Sequence, residues 1–340
     1  MSIEERRAAL EAYLAKATGE ESASIERTAK LSGGAIQENH ALDVVFRSGC
    51  HVRNEKLVLR TDSPSGVAVS HSRANEFALL RAAHRAGVRV PEPLHLCEDR
   101  AVLGRPFFVM EFRPGVAAGH RLVKDDSLVP DRAALARSIG RDMARLHTIE
   151  PGSDELSFLR VPETSPALEF VDTYRRHLDA LPEPAPAYEL GLRWCERNAP
   201  PTDRVTLVHR DYRTGNYLVD KGDLSAVLDW EFAGFGDPVE DVGWFFAKCW
   251  RFGRDDRRAG GIGPAEAFLE GYREVSGLEL DPRAIHFWQV VAHLRWGIIA
   301  MQQAERHLSR QQPSLELALT GRIPSEVART MLALVKGGHP

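Results

Sequence analysis

The chain has 340 residues, of which 43% are hydrophobic and 27% charged, with a formal net charge of −4. That length suits two lobes or two modest domains, and that balance offers no general attraction to nucleic acid or to an anionic membrane. The four cysteines, Cys50, Cys97, Cys195 and Cys249, are far apart and form no CxxC pair. This pattern argues against a zinc site or a disulfide framework and for reduced thiols in a cytoplasmic protein. Acidic residues follow Met1 at once without an apolar run, so the start is not read as a signal peptide.

Residues 2–17 have helical spacing and a charged face, which predicts a leading helix. From about 25 to 112 the pattern turns strand-like, with β-branched or aromatic runs at 42–46, 56–60 and 107–112. One helix interrupts them, over about 72–86, with Phe77, Leu80 and His84 on one face and Glu76 beside them. Gly87 stops it, and Pro91 and Pro93 prevent its return. Beyond Pro114 the chain reads as mainly helical. Asp131 caps a helix striped by Leu135, Ile139, Met143 and Leu146, and Pro-rich stretches at 161–166 and 182–186 separate further helices. A β pattern returns briefly at 205–208, 217–219 and 226–228, and helices then run to about 336. The apolar stretch 285–301 is interrupted by His286, His293 and Arg295, so it is expected to be a buried helix and not a membrane span. His286 and His293 lie one heptad apart with no third ligand in view, so they read as core or cleft histidines.

This layout predicts an α+β fold. A small β-rich lobe with one helix (1–112) is joined near 110–114 to a larger, mainly helical lobe (113–340). Ligands favour clefts between lobes.

The densest chemistry lies in Val208-His209-Arg210-Asp211-Tyr212-Arg213-Thr214-Gly215-Asn216, followed by Val227-Leu228-Asp229-Trp230-Glu231. Phosphoryl transfer asks a protein for positioning and charge neutralisation more than for covalent chemistry. Asp211 can orient or deprotonate an attacking hydroxyl. Asn216 and Asp229 supply an amide oxygen and a carboxylate, which are the hard ligands Mg²⁺ takes. No GxxxxGK[ST], HExxH or GxSxG competes.

These segments resemble the aminoglycoside phosphotransferase and choline kinase branch of the protein-kinase-like fold. Asp211 and Asn216 match that family's catalytic loop, and Asp229-Trp230-Glu231 its metal-binding segment. The resemblance implies that His209 and Asp241, in Gly236-Asp237-Pro238-Val239-Glu240-Asp241, brace the loop. Asp241 also reads simply as an acid favoured at a helix N-terminus. In the first lobe the resemblance covers a glycine loop at Ser32, Gly33 and Gly34, a basic residue on the next strand, Arg60, and its acidic partner Glu76 on the helix. Arg60 stands where most kinases have lysine. An arginine is bidentate and always charged, so it can still grip phosphate. Backbone groups of Glu111 and Phe112 would meet the purine. The resemblance implies Mg²⁺ and ATP or GTP as donor, a small hydroxyl substrate, and no nucleic-acid or membrane partner.

Four arginines lie in Arg251-Phe-Gly-Arg254-Asp-Asp-Arg257-Arg258. Glu231, Trp250, Arg251 and Arg254 are therefore candidates for the acceptor site, and they favour an anionic alcohol such as a hydroxyacyl-CoA over a polycationic aminoglycoside. Similar domains occur fused to acyl-CoA dehydrogenases, which points the same way. An aminoglycoside kinase, a nucleotide-binding pseudokinase and a metal-dependent hydrolase remain alternatives.

Overall fold

A computed structural model of the chain describes residues 3–31, 37–62, 71–202 and 204–337. Ser32, Gly33 and Gly34 lie outside the described residues. The chain divides into two units. The first comprises Met1–Pro114, Asp154–Phe158 and Ser225–Phe232, and the second the remainder.

In the first unit, helix α1 (Arg7–Thr18) buries Leu10 and Leu14 and ends at Gly19, whose φ of 74° a glycine adopts without strain. The strands are β1 (Ser22–Leu31), β2 (Gln37–Ser48) and β3 (His51–Asp62), followed after helix α2 (Arg73–Arg85) by β4 (Pro93–Cys97), helix α3 (Arg100–Leu103) and β5 (Phe107–Glu111). They form one five-stranded sheet in the order β1-β2-β3-β5-β4, with every neighbouring pair antiparallel. The sheet's middle strand, β3, is buried continuously from Leu57 to Thr61, so both of its faces are covered. Leu57 and Leu59 join Leu10, Leu14, Phe46 and Phe107 in one core cluster. Alternation sends Val58 and Arg60 to the opposite face.

Ser72 caps α2 by accepting from the Asn75 N–H. The buried face of α2 is Arg73, Glu76, Leu79, Leu80 and Ala83. Phe77 and His84, expected on that face, are only half-buried, and Phe77 meets Phe108 edge-on at 5.8 Å. β4 was hidden by its prolines. It begins at Pro93 on the sheet edge, where a missing N–H breaks no ladder. The later segments tie in through Glu155, which takes the Arg81 and Arg85 side chains, and through Val227 N–H, which donates to Arg89 O at 2.7 Å.

The second unit is largely helical. It holds α4 (Gly119–Lys124), α5 (Arg132–Leu146), α6 (Pro166–Asp179) and α7 (Pro186–Asn198), then strands β6 (Thr206–Val208) and β7 (Tyr217–Asp220). Strand β8 (Asp223–Val227) straddles the division of the chain. Next come β9 (Gly234–Gly236), α8 (Pro238–Phe246), α9 (Ala265–Ser276), α10 (Pro282–Leu308), α11 (Leu315–Thr320) and α12 (Ile323–Val335). Helices α6, α7, α8 and α10 open on proline, whose fixed φ suits the first helical position. Asp131 caps α5 through the Ala134 N–H, and the stripe Leu135, Ile139, Met143 and Leu146 is fully buried. Tyr188 and Leu192 of α7, Trp288 and Leu294 of α10 and Met331 of α12 share one core. Helix α8 is pressed onto α10 at Gly243, where a Cβ would lie 2.4 Å from Trp288 Cβ. No described helix is long and apolar enough to cross a membrane.

Candidate active site

Strands β6 and β9 pair antiparallel, with Val208 opposite Gly234. The loop 209–216 leaves from the end of β6 and returns into β7. Two backbone donors at its start, His209 N–H and Arg210 N–H, reach the two carboxylate oxygens of Asp241 at 2.7 and 2.8 Å. Asp241 lies in the first turn of α8 and is fully buried. Burial works against its charge. The His147 hydrogen bond, the charges of His147 and His209, and the His209 N–H outweigh burial and hold the carboxyl below its usual range. His147, just past α5, lies 3.3 Å from Asp241 with its other nitrogen 2.8 Å from the Tyr272 hydroxyl. The sequence reading missed His147, because only the tertiary fold brings it to Asp241.

Arg210 has φ 64°, a left-handed conformation that costs a non-glycine residue about 1–2 kcal/mol. Three bonds hold it there. Its N–H meets Asp241, its guanidinium donates to Phe235 O at 2.9 Å, and its carbonyl accepts from Arg295 at 2.7 Å. The loop's far end is fixed by the Thr214 hydroxyl, which donates to Gly260 O at 2.7 Å.

This frame presents Asp211, which is partly exposed at 16% of its side-chain surface. Asn216 Nδ2 donates to Asp211 Oδ2 at 2.5 Å and to the Asp211 carbonyl at 3.0 Å. Arg213 Nε and Trp244 Nε1 both donate to Oδ1, at 3.2 and 3.0 Å. Neither Arg213 nor Trp244 was singled out from sequence. The position of Arg213, two residues after Asp211, was a legible signal; that of Trp244 was not.

In the first unit, Arg60 is buried and forked among three acceptors: Glu76 at 2.7 Å, Asp229 at 3.3 Å and Asn39 Oδ1 at 3.2 Å. Burial opposes its charge, but Glu76 and Asp229, with Glu231 behind them, hold the guanidinium above its ordinary value. Glu76 is shared with a second buried arginine, Arg73, which also reaches Asp62 at 2.9 Å. Arg73 was likewise not foreseen. Asp229 lies just past β8 at φ 60°, a second left-handed non-glycine among the residues that matter, and its side chain is 35% exposed. Strain of this kind gathers at functional positions.

Several expected site residues are placed differently. The Glu111 N–H donates to Glu92 O and the Phe112 N–H to Lys56 O, so neither donor is left for a purine edge. Arg251 is fully buried, with its guanidinium donating to the Phe246 and Asp255 carbonyls, so it is a packing residue and does not line an acceptor site. Arg254 is half-buried and paired with Asp256. Trp250 is mostly buried between Trp244 and Trp296, with the Arg213 guanidinium 4.8 Å from its ring centre. Glu231 belongs to the first unit, and its charge is felt at Arg60.

Among solved structures, a Ralstonia eutropha protein assigned to the aminoglycoside phosphotransferases superposes with a TM-score of 0.75 at 21% identity, over 98% of this chain and 99% of its own. A thermostable mutant of aminoglycoside phosphotransferase APH(4)-Ia, in ternary complex with ADP and hygromycin B, gives 0.59 at 18% identity, over 98% and 99%. At these identities the likeness shows the fold, which is protein-kinase-like. Mouse acyl-CoA dehydrogenase family member 10 is 34% identical over 56% of this chain, and Pongo abelii acyl-CoA dehydrogenase family member 11 is 24% identical over 83%. The matched regions span only 18% and 38% of those two proteins. A family model described as "Phosphotransferase enzyme family" matches residues 34–287, three quarters of the sequence, and the chain belongs to that family.

Proposed function

We propose that this phosphotransferase moves the γ-phosphoryl group of ATP or GTP to the hydroxyl of a small molecule, with Asp211 as the base. The observation that carries the reading is the Asp211 carboxylate, held by Asn216, Arg213 and Trp244 on a loop whose backbone is fastened to buried Asp241. A general base must be fixed before it can meet a proton at hydrogen-bond distance. The ADP complex of APH(4)-Ia supports a nucleotide donor.

In this reading Arg60 steadies the nucleotide phosphates and Glu76 orients Arg60. The chemistry of the donor set suits Mg²⁺. Asn216 spends its amide nitrogen on Asp211, so its oxygen is the atom it has to offer an ion, and Asp229 adds a hard carboxylate. Asn216 and Asp229 would each give the ion one oxygen, and bound Mg²⁺ would neutralise charge developing on the phosphates.

The acceptor is read as an anionic alcohol, a hydroxyacyl-CoA being the leading candidate. Arg251 gives no support, because it is buried. Arg213 does: only its Nε is spent on Asp211, no described residue accepts from its terminal nitrogens, and its side chain is 29% exposed. The names of the curated relatives favour the acyl-CoA choice. The test is Mg²⁺-dependent formation of ADP and phosphorylated product across a panel of hydroxyacyl-CoAs, hydroxy acids and aminoglycosides. Higher kcat/KM for the anionic alcohols is expected. Efficient aminoglycoside turnover would overturn the acceptor class, and nucleotide binding without transfer to any hydroxyl would favour a pseudokinase.

A further inference from the structure

We propose that Trp244 is a positioning residue for the base, and that its indole N–H directs proton uptake to one oxygen of Asp211. This rests on the reading of Asp211 given above. An ionised carboxylate offers about four lone-pair sites, two on each oxygen. Asp211 Oδ1 already receives two donors, Arg213 Nε at 3.2 Å and Trp244 Nε1 at 3.0 Å. Oδ2 receives one, from Asn216 Nδ2 at 2.5 Å. The remaining lone pair is on Oδ2. In the transfer, the acceptor hydroxyl oxygen bonds to the γ-phosphorus as its proton passes to Oδ2. The bond from that phosphorus to the β,γ-bridging oxygen breaks, and the nucleoside diphosphate leaves.

Trp244 is built to hold this orientation. It follows Asp241 by three residues on α8, and residues three apart share a helix face. One face of one helix therefore fastens both the loop backbone, through Asp241, and the base's carboxylate, through Trp244. The helix itself has little room to shift, since Gly243 sits against Trp288. The indole is clamped in turn. The Arg295 guanidinium lies 4.5 Å over its ring, and Trp250 packs at 5.1 Å on the way to Trp296. Only 4% of Trp244 is exposed, and among the described residues its buried N–H has its one partner in Asp211. Arg213 shares the arrangement by donating to the same oxygen while lying over Trp250.

The test replaces Trp244 in the full chain with benzothienylalanine, which keeps the bicyclic shape and puts sulfur where the N–H was. Trp244→Phe serves as a second variant. Turnover is read as ADP formed from ATP and Mg²⁺, with hydroxybutyryl-CoA as acceptor and with water alone. Loss of a hydrogen bond to a charged group predicts a fall in kcat of about tenfold or more, with KM for nucleotide changed less than twofold. The melting temperature of the benzothienyl protein is expected to stay at the wild-type value. A merely structural indole would leave kcat intact in that protein, and unchanged kcat there overturns the proposal. Asp211→Asn separates the two levels. If it is inactive while the benzothienyl protein is fully active, the role of Trp244 fails alone. If Asp211→Asn turns over normally, the base assignment fails and takes the proposal with it.

Discussion

The two units hold their key carboxylates by opposite means. In the second unit, Asp211 is met by an amide, an indole and one guanidinium, and the loop beneath it is fastened by backbone N–H groups. In the first, Asp229 and Glu76 are met by arginine, and Glu76 by two of them. Directed hydrogen bonds fix an atom's position, which a proton transfer needs. Ion pairs fix charge, and they can be exchanged for phosphate or a divalent cation as those bind. The second unit is therefore organised for geometry and the first for charge.

The sharpest way to break this comparison is Asp211→Asn, which keeps the shape of the side chain and removes its basicity. Turnover is expected to fall by about 10² to 10⁴, with nucleotide binding retained. Steady-state kinetics and a nucleotide titration check it. Near-normal turnover by the folded variant would remove Asp211 from the mechanism.

The first unit is tested through its charges. Glu76→Ala leaves Arg60 and Arg73 buried without the carboxylate they share, and breaking a buried pair from one side costs about 3–5 kcal/mol. Denaturant unfolding is expected to show a loss of that order. Arg60→Lys keeps the charge but puts one ammonium where a fork now reaches Glu76, Asp229 and Asn39. Partial recovery of nucleotide affinity relative to Arg60→Ala is expected, and full activity in the alanine variant would take Arg60 out of the phosphate grip.

Next in size is the metal. Asp229→Ala removes an anionic ligand and Asn216→Ala a neutral dipole, so the Mg²⁺ dependence of nucleotide binding should weaken more in the first. Titration with and without Mg²⁺ decides. An unchanged Mg²⁺ dependence in the Asp229 variant would overturn the metal assignment.

How much of this was legible follows from the same contrast. Asp211, Asn216 and Asp229 were singled out from local spacing, and the structure joins Asn216 to Asp211 and Asp229 to Arg60. The α5 stripe and its Asp131 cap were legible for the same reason. His147 and Trp244 acquire their partners only through tertiary packing, and no periodicity marks them; Arg73, three residues before Glu76 on α2, sits at a helical spacing that sequence could have shown. Arg251 misled because four arginines in a short stretch look like a surface patch. One of them instead turns inward to satisfy two backbone carbonyls, a role that burial decides and composition does not. β4 was lost because proline was read as a break, although an edge position tolerates it.

The smallest effect concerns pH. Arg60, held above its ordinary value, keeps its charge throughout the accessible range. In the second unit the most strongly shifted histidine is His293. His293 is buried at 1% exposure, with Nδ1 2.7 Å from Gln289 O and no described partner for Nε2. Burial pushes its imidazolium down to about 4, and the nearby Arg251 and Lys248 charges act in the same direction. In the unfolded chain a histidine titrates near 6.5. Between these values the unfolded state binds the extra proton and the native state does not, so stability falls as pH is lowered. The contribution is fully present above about 6.5 and is lost progressively toward 4, on the order of 3 kcal/mol at the lower end. Asp241, held below the usual carboxylate range, adds its own loss only as pH drops below about 4. Melting temperature measured from pH 7 to 4.5 is expected to decline in the wild type. The decline should be shallower in His293→Gln, which keeps a polar group but cannot take up a proton, with no difference in slope above pH 7. Parallel curves for the two proteins would show that His293 is already charged in the native state and that acid sensitivity arises elsewhere.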